Sequence, residues 1–319
     1  MSAAPFDVPF ACIIGAPRSG TTWLQAMVGA HPRVCTAQEL KVFDLFTAPW
    51  EHSWQRLIDL QQSAGGGPRG LRIVWSDEEF YRVLSDLLKD IYGRVLQSKP
   101  GADVVLDKSP GYSRHIAHIQ RLIPHVKFIH VVRDGRDVAA SLRVASRGWA
   151  RAWAPSAIDS AATLWKSMVL DARAARRLGP DHYLELRYEQ LRSDGPASLL
   201  EVFAFVGVPA TAEDAGAIYE QHTIERMRDS AGHPFALPRD FFRNGRAGGW
   251  RDELSARERY AFDAAAGDLL RELGYADSSW WRQYRYQRWL LPAFAGVPVR
   301  RRLQRLLRRL STSGPEAGT

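Results

Sequence analysis

A pair of glycines at a strand-to-helix junction constrains this chain more than any other feature. The apolar run Phe10–Gly15 stops at a glycine, as a buried parallel strand does, and Thr21–Ala30 has apolar residues at helical spacing. Gly15 and Gly20 have the separation found in phosphate-binding loops. In such a turn the backbone N–H groups point inward, and the helix N-terminus adds partial positive charge. The stretch therefore predicts an anion site, although glycine turns also join strands to helices without a ligand.

The loop departs from the loops that bind nucleoside triphosphates. Those loops need a lysine after the second glycine and then a hydroxyl that holds Mg²⁺. Here Thr21 takes the position of the lysine, and the positive charge lies earlier, at Arg18. This arrangement favours an anion whose transferred group carries less charge than a phosphoryl group and needs no metal.

Strand signals recur along the chain, and helical patterns separate them. After the first strand they occur at Val34–Thr36, Val104–Leu106, Phe128–Val132 and Tyr183–Leu186. Strands that alternate with helices predict a parallel sheet covered on both faces. We therefore expect one P-loop-like, three-layer α/β domain over 1–278. A basic, aromatic, amphipathic extension with a disordered end is expected over 279–319.

A second polar loop follows the strand at Phe128–Val132. Arg133 stands at the end of this strand, and Ser141 lies two turns into the next helical pattern. A guanidinium and a hydroxyl in these positions can meet one phosphate at the carboxyl end of the strand. Alternatively, Arg133 forms an ordinary ion pair with Asp134 or Asp137.

Four sequence blocks together resemble the family of sulfotransferases that use 3′-phosphoadenosine-5′-phosphosulfate (PAPS). Pro17–Trp23 is similar to the family's 5′-phosphosulfate loop, and Arg133–Ser141 is similar to its 3′-phosphate motif. Leu186–Leu191 resembles its R-Y-E-x-L segment, and Arg243–Trp250 resembles its late loop over the 3′-phosphate. The blocks stand in the family's order and span nearly three quarters of the chain.

The resemblance assigns the nucleotide contacts. It implies that the 5′-phosphosulfate is bound by Arg18, Ser19, Gly20, Thr21 and Thr22, with Trp23 against the adenine and Tyr188 at the base. It also implies that the 3′-phosphate is held by Arg133, Ser141, Arg243 and Gly245. Asn244 replaces a lysine of the family, which weakens this contact without abolishing it. The implied co-substrate is PAPS, its product is adenosine 3′,5′-bisphosphate, and no metal is expected.

Sulfonyl transfer needs a base for the acceptor proton and positive charge at the leaving oxygen. Many members of the family take this base from a histidine two residues after a lysine. Here the lysine is Lys108, and Pro110 stands at the position of the histidine. Lys108 matches the family's lysine and, with Arg18, is the candidate catalytic cation. Glu39 is the candidate base, since its surroundings resemble the E-x-x-x-F segment of glycosaminoglycan-type sulfotransferases. The alternative is a surface glutamate paired with Lys41.

The acceptor is a small molecule or a glycan in this interpretation. Arg143–Trp153 interleaves arginines with Trp149 and Trp153, which suits sugars, phenols or acidic acceptors. The same tryptophans also fit a protein core. His115 and His118 are expected at the surface of a helix. No nucleic-acid-binding module is recognised, and the oligomeric state is left open.

Charge and the C-terminal segment raise the question of a membrane. Lys and Arg outnumber Asp and Glu by 43 to 35, for a net charge of +8, which favours anionic ligands, acidic polymers or an anionic membrane. Arg300–Leu310 has a leucine stripe among arginines and follows Trp280, Trp281 and Trp289. It fits a helix on a membrane or on a partner, and equally a helix packed on its own domain.

Targeting signals and cysteine usage favour the cytoplasm. The chain has no secretory signal and no apolar window long enough to span a membrane. Cys12 and Cys35 do not form a disulfide framework. We therefore expect a cytoplasmic protein, peripheral at the inner face of the membrane where the tail binds lipid.

Two other functions compete with this interpretation. One is a phosphotransferase that uses ATP and Mg²⁺, in which Asp107 imitates the metal-binding aspartate at the end of a strand. The other is a non-catalytic nucleotide-binding or membrane scaffold that keeps the fold without turnover. The fit of Arg133, Ser141 and Arg243 to a 3′-phosphate, which ATP lacks, disfavours the first. Arg18, Lys108 and Glu39 disfavour the second.

Overall fold

The computed structural model describes residues 7–229, 235, 237–238, 241–243, 245–277 and 280–281. Its centre is a five-stranded parallel sheet with the order β2-β3-β1-β4-β5. The strands are β1 (Phe10–Ile14), β2 (Val34–Thr36), β3 (Val104–Lys108), β4 (Lys127–Val132) and β5 (Tyr183–Arg187). All five strands were predicted, and the predicted α/β fold class is confirmed.

The α-helices surround the sheet. They are α1 (Thr21–Ala30), α2 (Ala48–Ala64), α3 (Asp77–Gln97), α4 (Ile116–Leu122), α5 (Gly135–Ala145), α6 (Ile158–Arg173), α7 (Tyr188–Ser193), α8 (Gly195–Val206), α9 (Ala212–Gln221), α10 (Ile224–Asp229), α11 (Trp250–Glu253) and α12 (Ala256–Glu272). A π-helix spans Phe43–Thr47, and a 3₁₀ helix spans Pro110–His115. Two further 3₁₀ helices span Gly70–Ile73 and Ala174–Leu178.

Alternating side chains of the strands bury two different faces of the sheet. In β1, Ala11 and Ile13 join a cluster with apolar residues of α1 and α8, such as Leu24 and Phe203. Phe10, Cys12 and Ile14 join a second cluster with residues of α3 and α4. Successive side chains of a strand point to opposite faces, so a continuous apolar run is what a strand covered on both sides requires.

The longest connection between strands lies between β2 and β3 and carries the π-helix, α2 and α3. Apolar residues at helical spacing between Trp75 and Leu96 form the buried side of α3. Ser76 caps the N-terminus of this helix. Its side chain accepts the backbone N–H of Glu79, and the Glu79 side chain accepts the backbone N–H of Ser76. Such a capping box satisfies free N–H groups of the first turn. The sequence interpretation did not include α2.

Trp280 belongs to the core of the domain, although the sequence analysis grouped it with the tail. Its side chain is buried against Trp250 and Phe262, and its Nε1 donates to Asp263 at 2.9 Å. Own-domain packing is therefore the correct interpretation for this tryptophan. Asn244 and Arg300–Leu310 lie outside the described residues. Over the described part of the chain, no helix has the length and apolar character that crossing a membrane requires.

Candidate active site

The predicted functional residues meet because the sheet is parallel. The carboxyl ends of its strands lie at one edge, where ligands of open α/β sheets bind. The glycine loop Gly15–Gly20 follows β1, and Lys108 is the last residue of β3. Arg133 follows β4 and Tyr188 follows β5. Four separate segments of the chain therefore converge on one site.

Both glycines of the loop are required by their surroundings. Gly15 and Gly20 have φ angles of 142° and 98°. A Cβ on Gly15 would lie 2.5 Å from the carbonyl oxygen of Val131, and one on Gly20 would lie 2.5 Å from the Tyr188 ring. Arg18 also has a positive φ of 72°, a conformation that costs an L-residue about 1–2 kcal/mol. The close fit fixes the loop against β4 and Tyr188.

Arg133 supports the loop through backbone oxygens and a ring face. Its Nη1 and Nη2 donate to the backbone oxygens of Arg18 and Arg246, each at 3.1 Å. Its guanidinium lies 4.1 Å from the centre of the Tyr188 ring. Asp134 instead pairs with Arg136 at 2.7 Å. The alternative of an Arg133–Asp134 ion pair is therefore wrong.

Asp137, the other alternative partner of Arg133, is occupied by backbone groups. It accepts the N–H groups of Gly248 and Trp250 at 2.7 and 2.8 Å. Within the described residues, no carboxylate oxygen lies within ion-pair distance of Arg133. The positive charge of Arg133 thus remains available to an anion.

Arg18 lies in the same cationic cluster and is held by neutral groups. Its Nε donates to Ser141 Oγ at 3.0 Å and its Nη2 to the Phe241 carbonyl at 2.5 Å. Burial, and then the positive charges of Arg133 and Arg243, lower the pKa of Arg18 to about 10. Crowded cations of this kind are stabilised when an anion binds among them.

The donor cavity is the pocket that these residues enclose. Its lining includes ten of the twelve predicted nucleotide-binding residues, namely Arg18, Gly20, Thr21, Thr22, Trp23, Arg133, Ser141, Tyr188, Arg243 and Gly245. Ser19 lies buried in the loop outside this lining. Arg243 is held by two 2.8 Å hydrogen bonds to Glu253.

The aromatic residues of the donor cavity are rigidly placed. Trp23 is fully buried, and its Nε1 donates to the His222 carbonyl at 2.6 Å. Tyr188 is buried as well, and its hydroxyl donates to the Gly245 carbonyl at 2.6 Å. Gly245 has a φ of 54°, and a Cβ there would lie 2.8 Å from the Tyr188 hydroxyl. The late loop is therefore attached to the end of β5 by this tyrosine.

Lys108 lies where the donor loop meets a second cavity. Its side chain is 2% exposed, donates to Thr22 Oγ1 at 3.0 Å, and pairs closely with Glu39. Burial lowers the pKa of Lys108, and the charge of Glu39 opposes that shift. Lys41 lies 3.8 Å from the other carboxylate oxygen of Glu39. Glu39 is thus paired with Lys41, as the alternative interpretation expected, but its closest partner is Lys108.

The acceptor cavity is this second pocket, with a volume of about 390 Å³. One wall is polar and consists of Glu39, Lys41, Asp44, Lys108 and Ser109. A second part of the lining is apolar and consists of Trp149, Trp153, Phe235, Leu237, Pro238 and Phe241. The Trp149 and Trp153 rings lie 5.9 Å apart, and Trp153 is half exposed. Both tryptophans therefore line a cavity, and the core interpretation is wrong for Trp153.

Asp107 is a buried carboxylate next to Lys108 at the end of β3. The sequence analysis considered it only as the metal-binding aspartate of the competing phosphotransferase. Asp107 is 1% exposed and accepts hydrogen bonds from the hydroxyls of Tyr92 and Tyr112 at 2.7 and 2.8 Å. It also accepts the Lys108 N–H at 2.7 Å. Both carboxylate oxygens are thus occupied by protein donors, which disfavours a metal-binding role for Asp107.

Two further corrections concern the polar wall and the region behind it. His118, expected at the surface, is buried, and its ring nitrogens contact Thr47 Oγ1 at 2.9 Å and Glu51 at 2.6 Å. Asp44, which the sequence analysis did not identify, accepts the Ser109 hydroxyl at 2.6 Å. Burial raises the pKa of Asp44. Asp44 and Ser109 are 65 residues apart in the sequence, so their contact cannot be recognised before the fold is known.

The sheet topology and the two cavities define an α/β protein with an anion loop, a cationic pocket for a nucleotide and an adjoining pocket for a second substrate. The chain belongs to the sulfotransferase family, whose model matches residues 9–213. The predicted family is thereby confirmed.

Named relatives agree with this assignment. Protein-tyrosine sulfotransferase 1 of Danio rerio is 25% identical over 206 residues, which cover 64% of this chain and 54% of the relative. Nodulation protein NoeE of Sinorhizobium fredii is 27% identical over 305 residues, which cover 87% and 69%. The chain spans about half the length, or less, of the protein-tyrosine sulfotransferases it matches.

Solved structures share the fold. Mouse sulfotransferase SULT7A1, complexed with PAP, superposes with a TM-score of 0.56 at 15% identity, over 86% of this chain and 89% of that one. The sulfotransferase domain of the Synechococcus PCC 7002 olefin synthase gives 0.53 at 21% identity, over 87% and 98%. These structures support the α/β architecture of the chain.

Proposed function

We propose that this protein transfers a sulfonate group from PAPS to a hydroxyl group of a ring-bearing acceptor. The observation that carries the proposal is the contact chain from Thr22 through Lys108 to Glu39. It runs from the donor loop to the acceptor cavity. A cation and a carboxylate at this junction are what an in-line displacement needs at its leaving group and its nucleophile.

The donor cavity fits PAPS in its chemistry. Arg133 Nε and Ser19 Oγ are buried polar atoms without a hydrogen-bond partner among the described residues. Buried polar groups are nearly always paired in native proteins, so Arg133 Nε, whose residue lines the cavity, is suited to an anionic ligand. Arg133, Ser141 and Arg243 would hold the 3′-phosphate, and the Arg18–Thr22 loop would hold the 5′-phosphosulfate. PAPS itself supplies an activated sulfonate group.

The residues of the chain provide the remaining chemistry. Lys108 is held by Thr22 and Glu39 with its ammonium group at the junction, where it stabilises negative charge on the leaving phosphate. Glu39 is 29% exposed toward the acceptor cavity and accepts the proton of the acceptor hydroxyl. The aromatic residues of the lining supply an apolar surface for the acceptor ring. No step requires a metal.

The walls of the acceptor cavity favour a ring with little negative charge. Glu39 and Asp44 are carboxylates, while Lys108 is already paired with Glu39. Trp149 and Trp153 present flat faces that stack on an aromatic or sugar ring. Some relatives are named protein-tyrosine sulfotransferases, and the side chain of tyrosine is a phenol. A phenol is therefore the first acceptor to test.

The first experiment separates the donor from the acceptor. Thermal unfolding is measured with adenosine 3′,5′-bisphosphate and, separately, with ATP and Mg²⁺. A ligand at 100 times its Kd adds about 2.7 kcal/mol of stability, and we expect this effect from the bisphosphate alone. Arg133→Ala should remove most of it. Arg94→Ala is the matched control, because Arg94 is exposed, pairs with exposed Asp90 in α3 and lines neither cavity.

Transfer is then measured with labelled PAPS and three acceptors: a phenol, a hexose and a primary aliphatic alcohol. We expect the largest kcat/KM with the phenol and the smallest with the alcohol. Stabilisation by ATP and Mg²⁺ alone would instead support the phosphotransferase. Stabilisation by the bisphosphate without transfer to any acceptor would support the non-catalytic scaffold.

A further inference from the structure

A buried tyrosine joins the segment of the candidate base to the strand of the candidate leaving-group lysine. Tyr112 is fully buried in the 3₁₀ helix that follows β3. Its hydroxyl donates to Asp107 at 2.8 Å and accepts the backbone N–H of Val42 at 3.0 Å. Asp107 directly precedes Lys108, and Val42 is three residues after Glu39. One phenol thus connects the side-chain carboxylate of the residue before Lys108 to the backbone three residues after Glu39.

The turn that carries Glu39 needs such a support. Lys41 has a φ of 53°, a left-handed conformation that is unfavourable for a residue with a Cβ. Strained residues of this kind persist when the surrounding structure holds them in place, and they cluster at active sites. Two hydrogen bonds hold this turn from its C-terminal side. Leu45 N–H donates to the Lys41 carbonyl at 2.9 Å, and Val42 N–H donates to Tyr112.

A second tyrosine provides an internal comparison. Tyr92 in α3 is fully buried, and its hydroxyl donates to the same oxygen of Asp107, Oδ2, at 2.7 Å. Both rings also pack on Phe43, with centroid distances of 6.5 Å for Tyr92 and 5.0 Å for Tyr112. The two phenols therefore make the same bond to one carboxylate. Tyr112 in addition accepts the Val42 N–H.

We propose that Tyr112 is a positioning residue for sulfonate transfer, which fixes the carboxylate of Glu39 relative to the ammonium group of Lys108. The inference rests on the proposed function, in which Glu39 is the base. Tyr112 does not line either cavity, so its effect passes through the Val42 backbone and the Lys41 turn. A displacement of a catalytic group by about 1 Å can cost roughly 100-fold in rate.

The test compares Tyr112→Phe with Tyr92→Phe in the full chain. Each variant deletes one hydroxyl bonded to Asp107 Oδ2. Tyr112→Phe should lose more thermal stability than Tyr92→Phe, because it also leaves the Val42 N–H without its acceptor. We expect kcat to fall about 10- to 100-fold in Tyr112→Phe and less than about 3-fold in Tyr92→Phe. The affinity for adenosine 3′,5′-bisphosphate should stay within about 2-fold in both, because the donor cavity contains neither residue. An equal loss of kcat in the two variants, or no loss in Tyr112→Phe, overturns the proposal.

A double-mutant cycle separates this proposal from the assignment of the base. Glu39→Gln is measured alone and combined with Tyr112→Phe. When Tyr112 acts through Glu39, the second substitution adds little to the loss caused by the first. Multiplication of the two losses would mean that Tyr112 acts elsewhere. Full activity in Glu39→Gln would instead show that the base assignment is wrong, whatever Tyr112 does.

One further variant removes the bond without changing a side chain. Replacement of Val42 by its α-hydroxy acid analogue converts the amide N–H into an ester oxygen and leaves the bond between Tyr112 and Asp107 in place. We expect a kcat loss of the same size as in Tyr112→Phe, with unchanged bisphosphate affinity. This variant also serves when Tyr112→Phe does not fold. Unchanged kcat in the ester variant overturns the proposal.

Discussion

The donor cavity and the acceptor cavity share Arg18, Thr21, Thr22 and Phe241 but are built differently. In the donor cavity, Arg133 and Arg18 bond to backbone carbonyls, a hydroxyl and ring faces, so their charges have no carboxylate partner in the described structure. In the acceptor cavity Glu39 is already paired with Lys108 and Lys41, and much of the remaining lining is aromatic or apolar. The first arrangement is suited to a multiply charged anion. The second is suited to a neutral ring whose proton must be removed.

The largest expected effect lies at the junction of the two cavities. Lys108→Met should lower kcat by about 100- to 1,000-fold, the usual effect of removing one group that stabilises transition-state charge. Single-turnover transfer from labelled PAPS measures it. The affinity for adenosine 3′,5′-bisphosphate should change by less than about 5-fold, because the 3′-phosphate contacts remain.

Lys41→Met is the matched control for that variant. Lys41 is half exposed and lies 3.8 Å from Glu39, so it belongs to the acceptor cavity without reaching the donor loop. We expect a loss of kcat below about 5-fold, in line with the small energies of exposed ion pairs. Comparable losses in both lysine variants would contradict the distinction between the two cavities.

The same difference explains what the sequence could predict. The strands, the glycine loop and Arg133 depend on local patterns: apolar runs, a fixed glycine spacing and a cation at a strand end. Parallel topology then places every strand end at one edge. The residues of the donor cavity that follow a strand were therefore predictable, because each belongs to a local motif at the end of its own strand.

The acceptor cavity depends on contacts between segments that are far apart in sequence. Asp44 and Ser109 are separated by 65 residues, and Tyr112 reaches Val42 across 70. No periodicity or spacing encodes such a contact. Asp107 illustrates the difficulty, since a carboxylate at a strand end is equally typical of a metal site and of a buried hydrogen-bond centre. Only its two tyrosine donors decide between them.

A smaller effect is expected at the rim of the acceptor cavity. Trp153→Ala should raise the KM of a phenolic acceptor by about 3- to 10-fold, the equivalent of a stacking energy near 1 kcal/mol. It should leave bisphosphate binding unchanged. Trp50→Ala is the matched control, because Trp50 is 48% exposed, against 50% for Trp153, and lies outside the cavity lining. A rise in KM for both variants would mean that the acceptor extends over α2.

The smallest expected effect is a shift in pH dependence, and its sign follows from burial. Burial lowers the pKa of Lys108 below that of an ordinary lysine, so the ammonium group loses its proton at a lower pH than 10.5. The value of kcat/KM for the donor reports groups of the free enzyme, and it should therefore begin to fall below pH 10.5. Arg18, with a pKa of about 10, contributes to the same decrease. Lys108→Arg should move part of the fall to higher pH, since arginine keeps its proton, and should lower the plateau. A pH profile that is identical in Lys108→Arg and in the unsubstituted protein would mean that the charge of Lys108 does not limit the reaction.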